Sequence, residues 1–280
     1  MADIGILPQK KNPVKNIFGK EKAIIGMIHT KALPGAPRYN GESMEEIIEF
    51  SINDAKALKA GGVDGLMFEN AWDVPFSKPE DIGYETVAAL TVLANEVTKE
   101  VDLPFGFNFL ANGVIQSLAA AKATNADWVR CNQWVNAYVA NEGILEGASA
   151  EAMRYKKMLH GEDIRVLADV HVKHGSHSIV ADRSLAEQTR DNIFFDADIL
   201  IATGSRTGDE TSLDELIGIS NNTQLPVIVG SGLNDNNAKK ILEIASGAVV
   251  GSYLKEDGVW WNPVDVERVK RLMEIVNKLR

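Results

Sequence analysis

Residues 164–172 alternate between two kinds of side chain. Val166, Ala168, Val170 and Val172 are apolar, and between and beyond them stand Arg165, Leu167, Asp169, His171 and Lys173. Successive side chains of a strand point to opposite faces. A strand here buries its apolar set under a helix layer and turns Asp169, His171 and Lys173 the other way. An acid, an imidazole and an amine climbing one face form a proton-transfer set. The imidazole exchanges protons near neutral pH, the carboxylate fixes its tautomer, and the ammonium stabilises developing negative charge. A desolvated Lys173 also forms Schiff bases, although a charge contact to substrate is its simpler role. An exposed edge strand gives the same alternation without chemistry, and a closed barrel removes that reading.

The same sorting brings other polar residues to strand ends. His29 lies in phase with Ile25 and Met27, and Glu69 and Asn70 end the run 63–69. Asn108 is out of phase with Phe105, Phe107 and Phe109, and Arg130 and Asn132 with Val129 and Cys131. Each alone reads equally as a hydrogen-bonded structural group; successive strand ends carrying such residues read as a site. The expected catalytic set is His29, Glu69, Asp169, His171 and Lys173, with Asn108, Arg130 and Asn132 binding substrate. Four of the five histidines, His29, His171, His174 and His177, fall at or just past strand ends, and His160 near a helix end. The run H-V-K-H-G-S-H is also compatible with a divalent metal, with Glu69, His171 and His174 as candidate ligands and Asp169 as a further oxygen donor. No cofactor is required by the sequence. Cys131, the one cysteine, reads as a small buried hydrophobe.

Anion binding is expected from the glycine-rich turns. The stretch 225–255 reads as strand, turn, helix, strand, turn, with Gly230-Ser231-Gly232 closing the first strand and Gly251-Ser252 the second. Gly204-Ser205 closes the strand before them. Such turns leave backbone N–H groups exposed, and a following helix N-terminus adds partial positive charge, which suits a phosphate dianion. The bland alternative is that the glycines only make tight turns.

To converge, these residues need a parallel sheet closed on itself. Strands are expected at 23–28, 63–69, 104–109, 127–131, 164–172, 198–202, 226–229 and 248–250, each followed by a helical stretch, the last at 264–279. Strict alternation at 280 residues predicts a single (β/α)8 TIM barrel over 21–280, behind an N-terminal extension over 1–20. A phosphate site after the seventh and eighth strands fits that fold. An open doubly wound sheet would want G-x-G-x-x-G after its first strand, and none is there. Long strand-to-helix loops at 30–42, 70–83, 132–148 and 173–183 carry Tyr39, Trp72, Phe76, Trp134 and Tyr138, as a ligand lid or as loop packing. Trp260-Trp261 is expected at the barrel seam or in an oligomer contact. A net charge of −10 argues against nucleic-acid and anionic-membrane partners. With no signal-type or membrane-spanning apolar run, a soluble cytoplasmic protein is expected, binding a small phosphorylated ligand and compatible with a homo-oligomer.

Seven segments resemble the BtpA/SgcQ family: GMIHTKALPGAPRY, GVDGLMFENAWDVPF, PFGFNFLANG, DWVRCNQWVNAYVANEGILEG, VLADVHVKHGSH, ATGSRTGDET and VIVGSGLNDNNAKKIL. The resemblance spans the chain beyond Gly19 and implies a barrel of the ribulose-phosphate-binding group. Members are tied to photosystem I biogenesis in a cyanobacterium and to sugar-utilisation genes elsewhere. Some relatives carry the label phosphoribosylanthranilate isomerase. Those isomerases use a cysteine base near the end of the first strand and an aspartate after the sixth, where this chain has His29 and Thr203-Gly204. The expected function is acid/base chemistry beside a carbonyl on a phosphorylated sugar-like substrate, of isomerase, epimerase or aldolase type. The alternative is a non-catalytic accessory factor for assembling a membrane complex.

Overall fold

The computed structural model describes residues 12–204 and 212–280. In chain order the elements are α1 (Pro13–Phe18), β1 (Ala23–His29), α2 (Met44–Gly61), β2 (Gly65–Glu69), α3 (Tyr84–Glu100), β3 (Phe105–Asn108), α4 (Val114–Thr124) and β4 (Trp128–Cys131). There follow β5 (Ala137–Ala140), β6 (Gly143–Glu146), α5 (Ser149–Met158), β7 (Arg165–Asp169), β8 (Gly175–Ser176) and α6 (Leu185–Phe194). The chain closes with β9 (Ile199–Ala202), α7 (Leu213–Ser220), β10 (Val227–Val229), α8 (Ala238–Leu242), β11 (Gly247–Val250) and α9 (Val266–Asn277). Eight parallel strands close into a barrel in the order β1-β11-β10-β9-β7-β4-β3-β2, the TIM-barrel fold.

Strand alternation sorts the core into two layers. Ile24, Ile28, Phe68, Phe107, Val129, Val166 and Ala168 point outward and pack under the helices. Ile25, Met27, Met67, Trp128, Leu167, Ile201, Ile228 and Val249 point inward and fill the lumen. Gly106 makes room for this inner layer, since a Cβ there would stand 2.3 Å from the Trp128 ring. Within the segment assigned as an extension, α1 plugs the floor: Val14, Ile17 and Phe18 join the lumen cluster, with Phe18 5.2 Å from Trp128. Asn12 caps α1 by accepting from the amides of Val14 and Lys15, and Gly19 ends it in the left-handed conformation.

The long loop after β4 contains a hairpin that no sequence signal announced. β5 and β6 pair antiparallel, and β8, from the loop after β7, adds to β5. On the other side of the barrel a buried ion pair ties the last loop to the helix layer. Lys255 and Asp54 of α2 are both almost fully enclosed and in direct contact, and Asp54 also accepts from the Val264 amide at 2.8 Å. Asp54→Ala leaves an uncompensated buried ammonium, so about 3–5 kcal/mol of stability should be lost in denaturant unfolding. A loss within experimental error would contradict this role.

Candidate active site

The strand register sets the acid/base residues side by side. His29 pairs with Glu69, and Glu69 with Asn108, as lateral neighbours at the carboxyl ends of β1, β2 and β3. All three point into a cavity of about 550 Å³ at that end of the barrel, with Arg130, Asn132 and Lys173 on the same wall system. Asn108 Nδ2 donates to Glu69 Oε2 at 2.6 Å, while its Oδ1 is buried without a hydrogen-bond partner. His29 Nδ1 lies 3.0 Å from the Trp260 carbonyl, and its Nε2 is 3.7 Å from Glu69 Oε1. In the neutral ring the carbonyl holds the proton on Nδ1, so the Nε2 lone pair faces Glu69.

Burial decides the charge states here. It lowers His29 to about 3, helped by the charges of Lys255 and Lys173 and opposed by the Trp260 bond. Burial also raises Glu69 above its ordinary value, against the opposing pull of Arg130, Asn108 and Lys173. A carboxyl held up in this way can accept, hold and return a proton, with the neutral imidazole beside it as a hydrogen-bond acceptor. Beneath them Arg130 donates to Asp169 from Nε at 3.3 Å and from Nη2 at 3.1 Å, and Asn132 Nδ2 donates to the same carboxylate at 3.1 Å. Asp169 therefore orients Arg130 and Asn132 from behind and does not itself line the cavity.

The turns after β10 and β11 form one rim of the cavity, through Gly230, Ser231, Gly232, Gly251 and Ser252. Gly230 donates to the Ala202 carbonyl at 2.7 Å, and the Ser231 hydroxyl donates to Thr203 at 3.0 Å. Gly232 has φ +76°, and its carbonyl accepts from Asn237 Nδ2 at 2.9 Å. A side chain at Gly230 would stand 3.0 Å from the Arg130 guanidinium, and one at Gly251 would stand 2.9 Å from the His29 ring. The turns thus press against the acid/base residues. α8 spans five residues, so its terminus adds less charge than the sequence reading expected. Arg268 of α9 supplies a cation on this side, donating to the Tyr253 carbonyl at 2.6 Å with its guanidinium 4.7 Å from the Tyr253 ring.

Several expectations need correction. β7 ends at Asp169, and beyond it the alternation fails: Val172 and Lys173 line the cavity, while His171 stacks on His177 with ring centroids 3.7 Å apart. His171 therefore stands apart from Glu69. Glu69 and His174 both line the cavity while His171 does not, and no metal-type cluster of three or more His, Cys, Asp or Glu occurs among the described residues. Gly204 is off the cavity wall, and Ser205 lies outside the described residues. Trp260 walls the cavity over His29, edge-on at 5.7 Å, instead of sealing a seam. Of the loop aromatics Phe76 and Tyr138 face the cavity, whereas Trp134 is fully buried and donates to the Phe195 carbonyl at 3.0 Å. Trp260 and Arg268 escaped the strand-end reading because neither sits at a strand end. Cys131 is buried in the outer layer, and burial pushes its thiol up.

The family model described as the BtpA family matches residues 20–278. An uncharacterized protein of Pyrococcus furiosus is 40% identical over 266 residues, covering 95% of this chain and 99% of the relative. The Photosystem I biogenesis protein BtpA of Synechocystis is 32% identical, over 92% of this chain and 88% of the relative. Among solved structures, the (S)-3-O-geranylgeranylglyceryl phosphate synthase of Thermoplasma acidophilum, in complex with sn-glycerol-1-phosphate, superposes with a TM-score of 0.57. It covers 95% of this chain and 97% of its own at 15% identity, a likeness of fold. No helix among the described residues is long and apolar enough to cross a membrane.

The charge states predict a pH signature. Glu69 sits above its ordinary 4.5. Its contribution to stability is full below that value, where both states hold the proton, and is lost as pH rises through the folded value. His29 has the opposite sign, its contribution falling away as pH drops from 6.5 to about 3. Glu69→Gln should therefore melt above the parent protein, by a margin that grows as pH rises above 4.5. A flat or shrinking margin would show that Glu69 is not held up.

Proposed function

The chain belongs to the BtpA family, and we propose that it is an enzyme acting on a small phosphorylated sugar-like substrate by proton transfer beside a carbonyl. The observation that carries this reading is Glu69. It is a carboxyl in a largely buried position with a raised pKa, facing a cavity that is also lined by two imidazoles, three cations and a rim of glycine and serine turns. Phosphate docks on Gly230, Ser231, Gly232, Gly251 and Ser252, assisted by Arg268. Glu69 takes the proton from the carbon next to the carbonyl, and the electron pair moves onto the carbonyl oxygen as an enolate. Lys173, Arg130 and Asn108 stabilise that oxygen, and Glu69 returns the proton to the same or the neighbouring carbon. His29, neutral and with its Nε2 lone pair toward Glu69, accepts a hydrogen bond from the carboxyl while Glu69 holds the proton. Asp169, held in turn by Asn132, positions the guanidinium, and His171 has no part in the step.

A second reading follows the printed name of the Synechocystis relative, an accessory role in photosystem biogenesis, with the barrel binding a protein in place of a metabolite. The two separate in a thermal-shift panel of aldose and ketose phosphates. At least one member should raise the melting temperature, and Ser252→Asp, which adds a carboxylate to the rim without filling a packed glycine, should abolish the shift. A flat response across the panel favours the accessory role. With a binding sugar phosphate in deuterated water, the enzyme should exchange the hydrogen next to the carbonyl, detected by NMR. Glu69→Gln should slow that exchange by about 10²–10⁴-fold with little change in affinity. Exchange at the parental rate would remove Glu69 from the mechanism.

A further inference from the structure

The rim opposite the glycine turns has a different chemistry. Around the barrel β10 lies across from β3, and β11 from β4. The loops after β2, β3, β4 and β7 turn Val74, Phe76, Leu110, Ala111, Tyr138 and Val172 toward the cavity. Tyr138, Ala111 and Val172 form a hydrophobic cluster of their own, with Phe76 packed against it. This wall is stiff. The Tyr138 ring lies parallel to His177, at 5.1 Å and 11°, and His177 lies on His171 in turn. His177 Nε2 is 2.7 Å from the Val172 carbonyl, which ties the column to the loop beneath. The wall does not run out into solvent as an apolar slot. Its outer margin is the β5–β6 turn, where Asn141 and Glu142 also line the cavity.

We infer that the ligand is a sugar phosphate whose end remote from the phosphate carries a flat heteroaromatic ring, and not a simple polyhydroxylated sugar phosphate. The inference rests on the proposed phosphate site at the glycine rim. A sugar hydroxyl laid against Val74, Phe76 and Val172 loses water and gains no partner. A planar ring buries its faces against Phe76 and Tyr138 and turns its polar edge to Asn141 and Glu142. An alkyl chain fits the wall but would bring its terminal methyl against those two polar residues. A cavity of about 550 Å³ has room for phosphate, pentose and ring together.

Calorimetric titration of the full chain with ribose 5-phosphate, the ribonucleoside 5′-monophosphates and octyl phosphate tests this. At least one nucleotide should bind roughly tenfold or more tightly than ribose 5-phosphate. Phe76→Ser, at a half-buried loop position, should remove that gain while leaving ribose 5-phosphate affinity unchanged. If ribose 5-phosphate binds and every nucleotide binds equally or less well, the ring falls and the phosphorylated-sugar reading stands. If octyl phosphate binds most tightly, the remote group is a chain and the inference is overturned. If none of the probes binds, the inference and the phosphate site beneath it fail together.

Discussion

The ion pair between Arg130 and Asp169 is the constraint on which the rest of the mouth depends. Both side chains are almost wholly enclosed in the lumen, where an unpaired charge is strongly destabilising. Asp169 spends its oxygens on Arg130 and Asn132. The guanidinium can therefore stand near Glu69 already compensated. Glu69 feels Arg130 as an attraction that favours ionisation and Asp169 behind it as a repulsion that opposes it. Burial is the largest influence and leaves the carboxyl raised. Without Asp169 the Arg130 guanidinium would turn its uncompensated charge on Glu69, and a carboxylate locked to a guanidinium is a poor base near neutrality. A residue off the cavity wall thus contributes to the state of one that faces the cavity.

Much of this was legible in the alternation of strand residues. Asn108 between phenylalanines, Arg130 between Val129 and Cys131, and Asp169 between Ala168 and Val170 all turn inward as the pattern requires. The signal holds while the chain stays extended and in register, and it stops where the strand stops. His171 shows this: β7 ends at Asp169, the backbone turns, and Val172 takes the inward place that alternation would have given its neighbour. The β5–β6 hairpin was illegible for a related reason. It pairs within a loop and borrows β8 from another, so no local periodicity records it. Trp260 and Arg268 reach the cavity from the last loop and the last helix, contacts that only the closed fold creates.

Small residues couple the anion rim to the acid/base residues. Gly251 lies so close to His29, and Gly230 to Arg130, that neither position accepts a Cβ without displacing its neighbour. The turns that would hold a phosphate and the side chains that would move a proton are therefore packed into one rigid body. Sliding either turn by an ångström would disturb the imidazole or the guanidinium, and misplacement on that scale is costly to catalysis.

The opposite rim is built from long loops, yet buried braces hold it. Asn70 accepts from the Leu110 amide at 2.8 Å and donates to Asp73 at 3.1 Å, and Asp73 accepts from the Leu33 amide at 3.1 Å. These bonds tie together the loops after β1, β2 and β3. Asn112 reaches the carbonyls of Gln133 and Glu146, each at 3.3 Å, and so anchors the hairpin to the loop after β3. The division has a physical logic. A phosphate presents the same oxygens in every ligand and is best met by fixed backbone amides, whereas the remainder of a ligand varies and is read by side chains on loops. Glu69 and His29 stand between the two rims. A ligand gripped at one rim alone would keep freedom to swing past them, while one gripped at both would be held in place over the carboxyl. Binding energy from the remote groups is then converted into alignment of the reacting ones.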